Sequence, residues 1–252
     1  MIDAHIHLDQ YTDVEEKVKQ WQEMGIEAVV AVSTDLRSSY RTLELKKRFP
    51  DFVYAAIGFH PEQPLPSKVD WNEWTNLVKQ ERHQLAAIGE VGLPYYSAEA
   101  TSRLQHYSER FEQIVQIAAE TALPLAIHAV YDRAQTALSI LQKYKIANAH
   151  FHWLKADPTI VEQIVQCGYS ISVTPEVCYR KRDQQLLSLI PMEQLLLETD
   201  GPWPFAGPFT DVPTSPLLLW SSLHVVASFY HQDVETMRTI VVANTQRLYG
   251  KR

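Results

Sequence analysis

The chain opens with Met1-Ile2-Asp3-Ala4-His5-Ile6-His7-Leu8-Asp9, and this stretch decides the fold. Ile2, Ala4, Ile6 and Leu8 alternate with Asp3, His5, His7 and Asp9, a period of two that predicts a β-strand. Residues two apart in a strand point to one face, so His5 and His7 present two imidazoles side by side, with Asp3 one step earlier. Paired neutral imidazoles suit a borderline-soft divalent cation such as zinc. The plainer alternative is an amphipathic edge strand whose polar face is wet. What the chain places at the ends of its other strands separates the two.

Outward from this stretch, strand and helix patterns alternate. Apolar or alternating runs predict strands at 1–9, 27–33, 53–59, 85–91, 123–128, 146–152, 169–173 and 195–199. Helical periodicity fills the gaps. It covers 13–24, where Asp13 and Glu16 have capping-box spacing, then 35–49, a helix opening at Asp70, 98–121 and 131–144. Further helices open at Asp157-Pro158, with proline at the first helical position, and cover 183–190. Two more close the chain, one from Ser215-Pro216 and one over 234–243. Eight such repeats in 252 residues are the signature of a (β/α)8 TIM barrel, an α/β fold, here a single domain over 1–252. The runner-up, an open doubly wound sheet, needs a Gly-x-Gly-x-x-Gly turn after a strand, and the chain has none.

Composition sets outer bounds. At 46% hydrophobic and 21% charged residues the chain is of ordinary globular type. Its apolar runs are of strand length, well short of the roughly 18 residues of a membrane span. Its start is not basic and then apolar, so no secretory signal is expected. Cys167 and Cys178 form no framework and read as reduced thiols of a cytoplasmic protein. A net charge of −7 argues against stable binding to a nucleic-acid duplex. It leaves room for a nuclease whose bound ions carry their own charge.

In a barrel of this kind the chemistry sits at the C-terminal ends of the strands. The predicted ends carry His5, His7, His60, Glu90, His128, His152 and Asp200. The other histidines, His83, His106, His150, His224 and His231, fall on helices or their flanks, except His150, two residues inside a strand. Seven ligands exceed one zinc, so two divalent ions (zinc, manganese or magnesium) are expected. One takes His5, His7 and Asp200, the other His128 and His152, and Glu90 bridges them around a shared hydroxide. Asp200 is the expected proton acceptor, and His60 is expected to face a phosphate oxygen or leaving group. Arg180-Lys181-Arg182 is a candidate phosphate contact, Tyr95-Tyr96 a candidate base platform, and Trp203, Phe205 and Phe209 a candidate rim.

These residues sit in motifs that resemble the TatD family of metal-dependent hydrolases, within the amidohydrolase-like barrels. The likeness covers Asp3-Ala4-His5-Ile6-His7-Leu8-Asp9, Gly58-Phe59-His60-Pro61 and Ile88-Gly89-Glu90-Val91-Gly92-Leu93. It continues through Leu123-Pro124-Leu125-Ala126-Ile127-His128, Leu197-Glu198-Thr199-Asp200 and Asn244-Thr245-Gln246-Arg247-Leu248-Tyr249-Gly250. The resemblance implies the barrel fold, metal-dependent deoxyribonuclease activity with 3′-5′ trimming of single-stranded or frayed DNA, and metal ligands at His5, His7, Glu90, His128, His152 and Asp200. His152 is preferred to His150 because it ends its strand.

The shell around the ligands departs from the family pattern. Pro94 stands where the family has aspartate after Gly-Leu. Ala129-Val130 replaces Ser-Arg, with Arg133 further on, and Trp153-Leu154-Lys155-Ala156 replaces Cys-Phe-Ser-Gly. A lost arginine removes a bidentate phosphate contact. The substrate is therefore expected to be DNA or a small phosphorylated molecule, with hydrolysis of a small phosphate ester or cyclic amide as the alternative. A non-catalytic partner protein is the third reading, against which the complete ligand set argues.

Overall fold

The computed structural model describes residues 1–250. Its eight strands are β1 (Ile2–Ile6), β2 (Ala28–Val32), β3 (Val53–Ile57), β4 (Leu85–Gly92), β5 (Leu125–His128), β6 (Ala149–Phe151), β7 (Ser170–Val173) and β8 (Leu195–Leu197). They pair in sequence order, each parallel to the next. The last gap closes between β1 and the end of β8. Asp200 N–H donates to His5 O at 2.9 Å, and His7 N–H donates to Gly201 O at 2.8 Å. Asp3 adds a buried side-chain clamp, accepting from the Thr199 N–H at 3.0 Å and from the Thr199 hydroxyl. The result is a (β/α)8 TIM barrel, as the strand pattern predicts.

The helices are α1 (Val14–Glu23), α2 (Leu36–Arg48), α3 (Lys68–Gln80), α4 (Ala98–Ser102), α5 (Leu104–Thr121), α6 (Asp132–Lys143), α7 (Pro158–Gln166), α8 (Lys181–Leu187), α9 (Leu219–Phe229) and α10 (Val234–Tyr249). Asp35 and Asp157 cap α2 and α7 through side-chain acceptance from Ser38 N–H and Thr159 N–H. Asp13 does not cap α1. Its backbone is left-handed, with φ 52° and ψ 41°, which turns the carboxylate away from the helix N–H groups. Ser67, not Asp70, caps α3, accepting from Asp70 N–H at 3.1 Å. The predicted helix over 98–121 breaks at Arg103, whose φ of −116° leaves the helical spiral.

Two apolar clusters hold the layers. The larger joins outward strand residues such as Val29, Ile57 and Ile127 to helix residues such as Trp21, Trp74, Phe111 and Leu138. The smaller contains Ala4, Val30, Val32, Ala56, Ala87, Ala126, Leu196 and Tyr249. Tyr249 is its one helical member, so the cluster lines the barrel interior and Tyr249 plugs it. This accounts for α10 running on past residue 243 to Tyr249. The Tyr249 hydroxyl lies 2.7 Å from His150 Nδ1, and His150 Nε2 lies 2.7 Å from Ser172 Oγ, so the buried imidazole is satisfied on both sides. Cys167 and Cys178 are both free. Among the described residues no helix is long and apolar enough to cross a membrane.

Tyr249→Phe leaves His150 Nδ1 without a partner inside the barrel. Urea denaturation is expected to show a loss of about 1–3 kcal/mol.

Candidate metal centre

Glu90 near the end of β4 is fully buried, and its two oxygens face two groups of imidazoles. Oε2 lies 3.1 Å from His5 Nε2 and 3.3 Å from His7 Nε2. Asp200 Oδ1 completes that group at 3.5 Å from His5 Nε2 and 3.4 Å from His7 Nε2. Oε1 lies 2.8 Å from His152 Nε2, 2.9 Å from His128 Nδ1 and 3.1 Å from His60 Nε2. The facing nitrogens of His128 and His152 are 3.3 Å apart. All seven residues singled out in the sequence therefore come together.

The backbone is shaped for this convergence. A Cβ at Gly92 would lie 1.9 Å from His128 O, and one at Gly58 would lie 2.6 Å from Glu90 O. Glycine at these positions lets β3, β4 and β5 close up around the carboxylate. Asp200 and Trp153 both have left-handed backbones, with φ 49° and 38°. Aspartate tolerates that region, but a tryptophan needs outside support to hold it. Trp153 has that support, donating N–H to Ser172 Oγ at 3.1 Å and Nε1–H to Glu176 Oε2 at 3.3 Å.

Charge in this buried cage is tightly coupled. Burial pushes the Glu90 carboxyl up, but His60, His152 and His5 outweigh it and hold it well below the usual carboxylate range. Burial likewise opposes the charged form of His7, yet Asp200 and Glu90 raise it to about 10. His152 is raised well above the usual value despite burial, by Glu90 and Glu198. Two buried carboxylates demand positive charge, from protons on the imidazoles or from a cation.

The donor set fits a cation. Metal–ligand bonds of about 2.0–2.1 Å in a tetrahedron place neighbouring ligand atoms about 3.3–3.4 Å apart. The spacings among His5, His7, Glu90 Oε2 and Asp200 Oδ1, 3.1–3.5 Å, are of this size. Asp200 Oδ1 is buried with no hydrogen-bond partner. His5, His7, Glu90 and Asp200 form one group able to hold a metal, and His60, Glu90 and His128 form another.

His60 differs from the other imidazoles. Glu62 N–H donates to its Nδ1 at 3.1 Å, so neutral His60 carries its proton on Nε2, facing Glu90. Burial lowers its pKa, against the pull of Glu90. His150, two residues before His152, shares the inward face but bonds to Tyr249 and Ser172 instead of entering the cage.

Two residues escaped the sequence reading. Glu198 is fully buried, its Oε1 3.5 Å from His152 Nδ1, on the side away from Glu90. Its position two residues before Asp200 on one strand path is the signal that could have found it. Glu62 accepts from the backbone N–H groups of Tyr95 (2.6 Å), Tyr96 (3.0 Å) and Ser97 (2.6 Å), and its Oε1 lies 3.3 Å from His128 Nε2. Burial pushes the Glu62 carboxyl up, but these partners bring it down to about 2.

The outer candidates sort differently from expectation. Arg180 and Arg182 pair with Glu176, and Arg182 also with Asp183, so their charges are already partly neutralised, while Lys181 is exposed. Phe205 and Phe209 pack inward with Leu218 and do not form a rim. Trp203, 58% exposed, remains at the mouth, as do Tyr95 and Tyr96.

A (β/α)8 barrel with this cage at its strand ends defines the class of metal-dependent hydrolases. The family profile described as TatD related DNase matches residues 2–250, and the chain belongs to the TatD family. It is 34% identical over 252 residues to an uncharacterized metal-dependent hydrolase of Haemophilus influenzae, covering 99% of each chain. It is 30% identical over 251 residues to a 3′-5′ ssDNA/RNA exonuclease TatD of a Pantoea species, covering 94% of this chain and 93% of the other. The crystal structure of a TatD homologue from Escherichia coli superposes with a TM-score of 0.89 at 20% identity, covering 100% of this chain and 98% of that one.

Glu62→Gln weakens the tie between the β3 and β4 loops. It is expected to speed amide exchange at residues 95–97 and to cost about 1–3 kcal/mol at neutral pH. The native carboxyl is depressed, so its contribution is present above pH 4.5 and is lost as the pH falls through about 2. The stability gap between variant and wild type therefore narrows in acid.

Proposed function

We propose that this chain, acting as one domain over 1–252, is a two-metal phosphodiesterase that trims single-stranded or frayed DNA in the 3′-5′ direction. The observation that carries this reading is the division of Glu90, with one oxygen toward His5 and His7 and the other toward His128 and His152. In this reading His5, His7 and Asp200 would hold one ion and His128 and His152 the second, with Glu90 between the two groups. Bound zinc, manganese or magnesium would supply a water acidic enough to attack at neutral pH and positive charge for the phosphoryl oxygens.

The protein groups then have separate tasks. Burial opposes the ionised form of Asp200, but His7 and His5 keep its carboxyl below the usual range, so it is a base at neutral pH. It takes the proton of the attacking water. His60 holds its proton on Nε2, pointing into the cage, where a phosphoryl or leaving oxygen accepts it. Glu198, with Oε1 3.5 Å from His152 Nδ1, attracts that edge of the ring and leaves Nε2 for the metal. The Pantoea relative's name, a 3′-5′ ssDNA/RNA exonuclease, supports the substrate and polarity. The acidic chain favours short ends over duplex tracking.

A second reading is hydrolysis of a small phosphate ester or cyclic amide by the same cage. It is favoured by Ala129 and Val130, which are apolar and buried beside His128.

End-labelled single-stranded DNA, incubated with protein refilled with magnesium, manganese or zinc, is expected to shorten from its 3′ end. Asp200→Asn is expected to lower the rate by about 100-fold or more. Absence of cleavage by protein shown to carry two ions would sink the DNA reading and move the search to small esters and cyclic amides. Glu198→Gln is expected to weaken the second ion about 10–100-fold in a chelator competition titration while the first ion stays bound.

A further inference from the structure

Strand β5 ends at His128, and the next two side chains, Ala129 and Val130, are short, apolar and buried. Beyond the Glu62 carboxylate beside His128, these residues bring no cation to that side of the mouth. Lys155 supplies one from the loop after β6. Tyr131 N–H donates to the Lys155 carbonyl, which lays that loop across the end of β5. From there the Lys155 ammonium donates to the Tyr96 hydroxyl at 3.0 Å and lies 4.1 Å from the centroid of the Trp153 ring. The Tyr96 ring stands 6.2 Å from the His128 ring. A line of contacts therefore runs from the cage to this ammonium.

The neighbouring cations are committed elsewhere. Arg133 pairs with Asp132 and donates to Pro94 O, and Arg180 and Arg182 are taken by Glu176 and Asp183. Lys155 meets a hydroxyl and aromatic faces, but no carboxylate of the described residues pairs with it. The acids whose field reaches it, Glu176 and Asp183, are the ones the two arginines occupy. A half-buried ammonium, fixed over an indole and lacking a counter-charge, is prepared for an anion. Beside Trp153, at 6.3 Å between ring centroids, the exposed Trp203 offers a flat face.

We propose that Lys155 and Tyr96 form a phosphate-binding arm of the active site, which seats a nucleotide phosphate while the adjoining base lies against Trp203. The arm reaches the mouth from the loops after β4 and β6. It rests on the nuclease reading and narrows it to a substrate end of nucleotide size. A phosphate oxygen accepts from the ammonium and from the Tyr96 hydroxyl, which is free to turn outward once Lys155 bonds the phosphate.

The test is a tryptophan-fluorescence titration of the metal-loaded protein with thymidine 3′,5′-bisphosphate and, separately, with unphosphorylated thymidine. Lys155→Met is expected to weaken the bisphosphate about tenfold or more and to leave thymidine unchanged. Lys155→Arg is expected to restore most of the affinity, and thermal melting checks that both variants are folded. Wild-type protein that does not bind the bisphosphate, or a folded methionine variant that binds it as tightly as wild type, overturns the arm. Cleavage of single-stranded DNA, measured in parallel, separates this from its parent. DNA cleaved with the same KM by wild type and Lys155→Met sinks the arm alone, whereas no cleavage by the two-ion wild type sinks the nuclease reading.

Discussion

The fully buried carboxylate of Glu90 is the constraint on which the rest of the site depends. An uncompensated charge at that depth is prohibitively costly, so the surrounding chain must deliver positive charge or ligands for it. It does so with five imidazoles from four strands. His5 and His7 come from β1, and His60, His128 and His152 come from the ends of β3, β5 and β6. Glycines at 58 and 92 remove the side chains that would hold these strands apart.

Closure of the barrel and assembly of the site are one event. The hydrogen bond from Asp200 N–H to His5 O joins the first strand to the last, and both residues are members of the cage. Asp3, one step behind His5 on the same face, ties the joint through Thr199. Burial raises its carboxyl to about 8, a shift the Thr199 and His5 hydrogen bonds only partly offset. Beneath the cage, Tyr249, His150 and Ser172 form a satisfied polar column that the C-terminal helix completes. The cage thus stands at or just past strand ends, which suits the positional accuracy that metal ligands need.

Around this centre the mouth is lined by side chains from several loops. Ala129, Val130 and Pro94 are apolar and buried, and Trp153, Lys155 and Tyr96 bring aromatic and charged groups from adjacent loops. The cage ligands sit at or just past strand ends, and the residues of the mouth sit on the loops beyond them.

Much of this was legible in the residues themselves. The alternation of Ile2 to Asp9 and the eight strand–helix repeats determined the barrel, because periodicity is a local property of each segment. Strand ends then marked His5, His7, His60, Glu90, His128, His152 and Asp200, because all eight parallel strands end on one face. Only the tertiary structure decided which oxygen of Glu90 each imidazole meets, and that His150 faces Tyr249 while His152 faces the cage. It alone showed that Arg180 and Arg182 are spent on Glu176 and Asp183 while Lys155 is not. It also turned Phe205 and Phe209 inward and broke the helix at Arg103. The difference is physical. A side chain's face follows from its place in the period, but its partner is chosen by distance and charge among residues far apart in the chain.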